Sequence, residues 1–313
     1  TFSLSTKDSL LYIDSLLPSQ TYKFQSIIQS TNQSMEVRSN GLTVTTLVPT
    51  SQNFTWQAYS WGMHSSSTLY DVAIINENDI WVVGEIYMND SLGNPDPACY
   101  NAVHWDSSGN WQKKKIKTNS CGGVDYPPIK TIFAFSKDDI LFAHIDGSIS
   151  HFNGVEFIND CSLITQLDGS ANKIWGIASN DFYVVSSNGF IAHYQNGSWQ
   201  KIESGTNIDF RDIYGSANED TNELEIIALA SNILAKPGKR LLRIKNQTVQ
   251  TLPDSGLSNY LSTIWFMSDR KYCLGGQGYY ESRTFGPVWE RNTSMPQFHI
   301  TSIRGAGLND IVL

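Results

Sequence analysis

Positive charge is scarce in this chain, and the scarcity excludes a class of partner. Its 22 Lys and Arg face 30 Asp and Glu across 313 residues, leaving a formal charge of −8 and a pI near 5.2. A phosphate-binding surface needs clustered cations, so the balance argues against nucleic acid. The one basic run, Lys113-Lys114-Lys115 with Lys117, falls on an expected outer strand, where lysine discourages edge-to-edge pairing. No run of eighteen apolar residues exists, so no segment is long and apolar enough to cross a membrane as a helix. Four cysteines are too few for a disulfide scaffold, and none has zinc spacing. Cys99 and Cys121 flank one expected hairpin and are assigned to a disulfide that pins it in an oxidising compartment. Cys161 and Cys273 sit in apolar surroundings and read as buried small residues.

Catalytic signatures are missing as well. There is no nucleophile elbow, P-loop, His-Glu-x-x-His helix or EF-hand loop. The eight arginines are scattered over 38–304 with no repeat register, unlike the converging set a sialidase-like propeller needs for a carboxylate. The acidic loop at 218–225 offers Asp220, Glu223 and Glu225 as Ca²⁺ donors; lacking the glycine and spacing of a known loop, it reads first as a solvated insertion. No other cofactor is assigned. Six Asn-x-Ser/Thr sequons occur, but a chain this rich in Asn, Ser and Thr produces several by chance.

What the chain has is repetition. "YNAVHWDSSGNWQKKKI" (100–116), "GSISHFNGVEFI" (147–158) and "NGFIAHYQNGSWQKI" (188–202) each run from an apolar strand through His and an aromatic to a short turn and a second strand. A second mark is an apolar strand, a turn often carrying Asn-Asp or Asp-Asp, and another apolar strand, as in "YDVAIINENDIWVVG" and "NKIWGIASNDFYVVS". Its core positions Val72, Ile132, Ile174, Ile213, Ile264 and Ile303 are spaced by 60, 42, 39, 51 and 39 residues. The shortest interval holds four short strands and tight turns. Outer strands open on Trp56, Trp111, Phe157, Trp199, Val249 and Trp289, out of phase with the inner set. Circular closure explains the phase: residues 53–60 supply the outermost strand of the blade that holds the C-terminus.

The chain over about 54–313 therefore resembles a six-bladed β-propeller of the bacterial secreted or surface type, an all-β fold in which one sheet covers the next. Trp111, Trp199 and Trp289 are then inter-blade core. His104, His151 and His193 recur once per blade and should be spread around the ring as structural groups. Residues 1–48 resemble the C-terminal half of a fibronectin type III domain. Leu16, Pro18 and Tyr22 match its corner, and Phe24, Ile27, Leu42 and Val44 become the inward face of a partial immunoglobulin-like sandwich. The expected organisation is thus sandwich 1–48, linker 49–52 and propeller 53–313 with an incomplete last blade, both modules being completed by chain outside these residues. The architecture implies a non-catalytic extracellular or cell-surface protein, used for adhesion, assembly through the sandwich region, or binding a protein or glycan. The alternative is a carbohydrate-binding or carbohydrate-active propeller with its site at the axial funnel.

Overall fold

In a computed structural model the structure describes the chain apart from residues 1–4, 6–12, 14–15, 30–35, 47–54, 65, 119–120, 124, 168, 235–237, 296–297 and 309. Two compact units divide at Ser60/Trp61. The expected linker 49–52 lies outside the described residues.

In the first unit, β1 (Thr21–Phe24) pairs antiparallel with β4 (Leu42–Thr45), and β2 (Ile27–Gln29) with β3 (Glu36–Arg38). The Tyr22 hydroxyl accepts from the Leu17 N–H at 2.8 Å, which is the corner contact read from the sequence. The sandwich itself is not formed among the described residues. Ile27, Leu42 and Val44 are exposed and Phe24 only half-buried, because two separate two-stranded sheets supply no second layer to cover them. The strand expected to close the ring is not formed among the described residues either. Residues 55–60 carry no strand and Trp56 is 90 % exposed; one tryptophan cannot hold a strand without a ladder to receive it.

The second unit is a propeller of five blades, with no helix among the described residues. The first is β5 (Thr68–Asn76), β6 (Asp79–Ile86), β7 (Tyr100–Trp105) and β8 (Trp111–Lys114). The second is β9 (Ile129–Ser136), β10 (Asp139–His144), β11 (Ile149–Phe152) and β12 (Phe157–Asp160). The third is β13 (Ala171–Ala178), β14 (Asp181–Ser186), β15 (Phe190–Gln195) and β16 (Ser198–Glu203). The fourth is β17 (Phe210–Ala217), β18 (Leu224–Ser231), β19 (Lys239–Lys245) and β20 (Thr248–Leu252). The fifth has three strands, β21 (Leu261–Met267), β22 (Lys271–Gly276) and β23 (Gly278–Ser282). Where a sixth blade was expected there is a two-stranded hairpin, β24 (Arg304–Gly307) and β25 (Asp310–Val312). Trp289 opens no strand. It is buried instead, its indole donating to the Pro253 carbonyl at 3.0 Å.

Within each blade every strand pairs with the next, and the core lies between blades. Trp175, Phe210, Ile213 and Leu242 join the third and fourth; Leu229, Leu257, Ile264 and Tyr272 join the fourth and fifth. Ile132, Ile174, Ile213, Ile264 and Ile303 are buried as their repeat requires, but Val72 is 50 % and Ile74 70 % exposed. No sheet covers that side of β5 among the described residues.

The disulfide joins Cys121 to Cys161, not Cys99 to Cys121. Cys99 points inward as a buried thiol, 3.5 Å from the Tyr126 carbonyl, while Cys161 follows β12 and meets the loop that leaves β8. The bond therefore ties the first blade to the second rather than one hairpin to itself. Cys273 is a buried thiol, as expected.

Candidate axial binding site

All five inner strands share one irregularity. Where each pairs with its second strand, the ladder passes over one residue near the strand's start: Tyr70, Lys130, Asn172, Arg211 and Ser262. Such a bulge re-aims the side chain it frees. Each bulged residue lies two before the repeated core Val or Ile. The residues between are Asp71, Thr131, Lys173, Asp212 and Thr263, and Thr301 and Ser302 hold the same places before Ile303. These two rungs, Thr131 apart, line a cavity of about 160 Å³ together with Arg304.

The two carboxylates in the cavity act as ties. Asp71 accepts from Thr131 Oγ1 at 2.7 Å and Ile132 N at 3.1 Å in the second blade, and from Lys173 Nζ in the third at 2.7 Å to both oxygens. Burial pushes the Asp71 carboxyl up, but the Lys173 charge and the donated hydrogen bonds outweigh it and hold it below the ordinary carboxylate value. Asp212 repeats the device three blades on. It accepts from Ile213 N at 3.0 Å, Thr263 Oγ1 at 2.9 Å and Ile264 N at 3.0 Å, with Arg304 at 3.6 Å. Thr263 Oγ1 in turn accepts from Ile303 N at 3.1 Å. Both acids are thus engaged by donors from a neighbouring blade.

The cations are committed less fully. Lys130 is half-buried with its ammonium 4.0 Å from the Tyr70 ring centroid, while Tyr70 donates to Glu85 at 2.5 Å. Burial and then the neighbouring Arg211 push the Lys130 ammonium below the ordinary lysine value, with Glu85 acting the other way. Arg211 donates Nε to the Ser231 carbonyl at 2.8 Å and lies 3.7 Å from Asp209. Four cations and two carboxylates thus line the axis of a chain whose net charge is −8. Sequence reading missed this convergence. Arg211 does have a repeat register, the bulge position that Lys130 shares, but its identity changes from blade to blade.

The other expected residues are structural. His104, His151 and His193 each meet the aspartate that begins the second strand of their own blade, Asp79, Asp139 and Asp181, at 2.9, 2.7 and 2.7 Å. Trp111 and Trp199 are half-buried, and Trp199 lies against Phe182 and donates to Asp160 of the preceding blade at 2.9 Å. Asp220, Glu223 and Glu225 are not brought together as a metal site: their partners are Arg270, Lys245 and Arg243 respectively, and no metal-binding group occurs among the described residues. A wider groove of about 470 Å³ beside β15 and β16 is lined by Asn188, Lys201, Glu203 and Thr206. It is open, and its two charged residues, Lys201 and Glu203, pair with each other at 2.8 Å, so the smaller axial cavity is the better candidate.

No protein-family model matches the chain, and no curated protein matches it. Solved structures do. YCF48 from Cyanidioschyzon merolae aligns with a TM-score of 0.52 at 16 % identity, covering 77 % of this chain and 90 % of its own. The extracellular domain of a protein assigned to a hybrid two-component system of B. thetaiotaomicron aligns with a TM-score of 0.54 at 14 % identity, covering 82 % of this chain and 32 % of its own. The WD40 β-propeller domain of Doa1 aligns at 0.49 and 11 % identity, covering 80 % of this chain and 91 % of its own. At such identities the likeness bears on the fold alone.

Proposed function

We propose that the chain is a non-catalytic binding module whose propeller is a scaffold for a protein partner at the cell surface. One observation carries the reading: both acids that face the axis are locked into inter-blade ties, whereas Lys130 beside them has no carboxylate within ion-pair distance among the described residues. A glycoside hydrolase needs one carboxyl to donate a proton and another to act as base or nucleophile. Asp71 and Asp212, each saturated with donors, suit neither role. The Cys121–Cys161 bond supports an oxidising compartment, and an extracellular domain among the structural neighbours fits the same placement. The Tyr22 corner is the remaining support for a fibronectin-like module at 1–48, through which assembly would run.

The test places a photo-crosslinking residue at Asn172, on the axial rim, and at Val155, on an exposed turn of the second blade, in the cells that make the protein. A protein crosslinked from Asn172 and not from Val155 is the expected result. Release of reducing ends from a polysaccharide panel, abolished by Asp212→Asn, would replace this reading with the hydrolase.

A further inference from the structure

We propose that the axial cavity binds a single carboxylate group between Lys130 and Arg211, and that a protein partner supplies it; this rests on the binding reading above. The argument begins with charge. Lys130 is half-buried and lines the cavity with a second, more exposed cation, Arg211, which repels it. Of the carboxylates nearby, Glu85 is engaged by Tyr70 and Tyr87, Asp209 lies 3.7 Å from Arg211, and Asp71 and Asp212 are held by their inter-blade donors. An anion placed between the two cations would turn repulsion into attraction.

The backbone makes the second, independent argument. Bulges interrupt a ladder and persist where they re-aim a side chain. Here the same bulge recurs in five strands and releases both Lys130 and Arg211 toward one cavity. The side chains beside them are already fixed: Asn172 donates to the Phe210 carbonyl at 2.9 Å, and Ser262 meets His299 at 2.9 Å. The site is therefore built before any ligand arrives.

Size and charge narrow the ligand. About 160 Å³ is well below the 300 Å³ or more that a drug-sized or sugar ligand occupies, but admits a carboxylate on a short stem. A dianionic phosphate or sulfate would also stand against Asp71 and Asp212 in the same cavity, and would approach a chain of net charge −8. A carboxylate monoanion meets less opposition. It has two sources in a protein partner: a chain terminus or an Asp or Glu side chain.

Calorimetry on the full chain at constant ionic strength decides between them. One probe is an acetylated Gly/Ser hexapeptide with a free C-terminus; the other is amidated and carries one central Asp. At least one should saturate, and the one that does identifies the source. Lys130→Met and Arg211→Gln should each weaken it tenfold or more, while Lys137→Ala, on an exposed turn, should leave it unchanged. Arg211→Gln also removes the bond to the Ser231 carbonyl and Lys130→Met the contact with the Tyr70 ring, so near-ultraviolet dichroism and melting check that both variants are folded at the titration temperature. Saturation by neither peptide up to roughly 10 mM, binding equally strong in both variants, or tighter binding of inorganic phosphate through the same residues would overturn the site. If the crosslinks from Asn172 persist in that case, the scaffold reading stands without it; if they are absent too, both fall.

Discussion

Asp71 shows how one side chain can hold three blades. Its carboxylate takes donors from the second and third blades at once, and its depressed pKa records that the charged form is the one the fold requires. Both it and Lys173 are largely buried, so removing either leaves an uncompensated charge. Asp71→Ala should cost about 3–5 kcal/mol in urea unfolding, and adding Lys173→Met should recover part of it, because the two effects are coupled. A loss below about 1 kcal/mol would show that the tie is not structural. His144 makes the opposite case. It is fully buried, its ring meeting the Pro127 carbonyl and the Ser150 hydroxyl, and burial depresses its pKa to about 4. Between about 6.5 and about 4 the unfolded chain therefore binds a proton that the folded chain refuses. Stability should fall across that window as pH drops, by about 1.4 kcal/mol per pH unit at the steepest. The Asp71 contribution, from a depressed carboxylate, is instead retained down to the ordinary carboxylate value and lost below it. Unfolding midpoints at pH 7, 5.5 and 4.5 should thus fall in wild type and flatten in His144→Gln.

At the scale of elements, how far the sequence could be read depended on whether a position keeps its residue type. The core marks Ile132, Ile174, Ile213, Ile264 and Ile303 were legible because the gap between blades demands a branched apolar side chain every time. The bulge positions were not, since Tyr, Lys, Asn, Arg and Ser share a backbone role and no chemistry. Trp56 and Trp289 misled for the converse reason: each has the residue type of an outer-strand mark without the ladder that makes a strand. The half-fibronectin reading rested on a corner, a local motif that does not supply a second sheet. The disulfide was misassigned because proximity in sequence was taken for proximity in space. Cys161 is farther along the chain from Cys121 than Cys99 is, yet it closes the seam between two blades. Labelling the denatured, unreduced protein should modify two thiols, Cys99 and Cys273. Cys121→Ser/Cys161→Ser should lower stability by up to about 4 kcal/mol, the entropy of a loop of this size. Four modified thiols would rule the bond out.

For the whole molecule, the distribution of burial says where the folding free energy resides. Every fully buried apolar side chain among the described residues lies between Trp81 and Ile303, inside the second unit, and the first unit contributes none. Hydrophobic stabilisation scales with the apolar area removed from water, so the first unit adds little to the cooperative transition. The inter-blade ties run from Asp71 to Arg304 and are likewise internal to the second unit. Residues 61–313 expressed alone should therefore give the dichroism of the full chain and melt within a few degrees of it, by calorimetry at matched pH and salt. A midpoint lowered by roughly 10 °C or more would overturn this, since each kcal/mol lost moves a domain of this size by about 2–4 °C. A small shift would place the ring's stability in its five blades; a large one would return the first sixty residues to it.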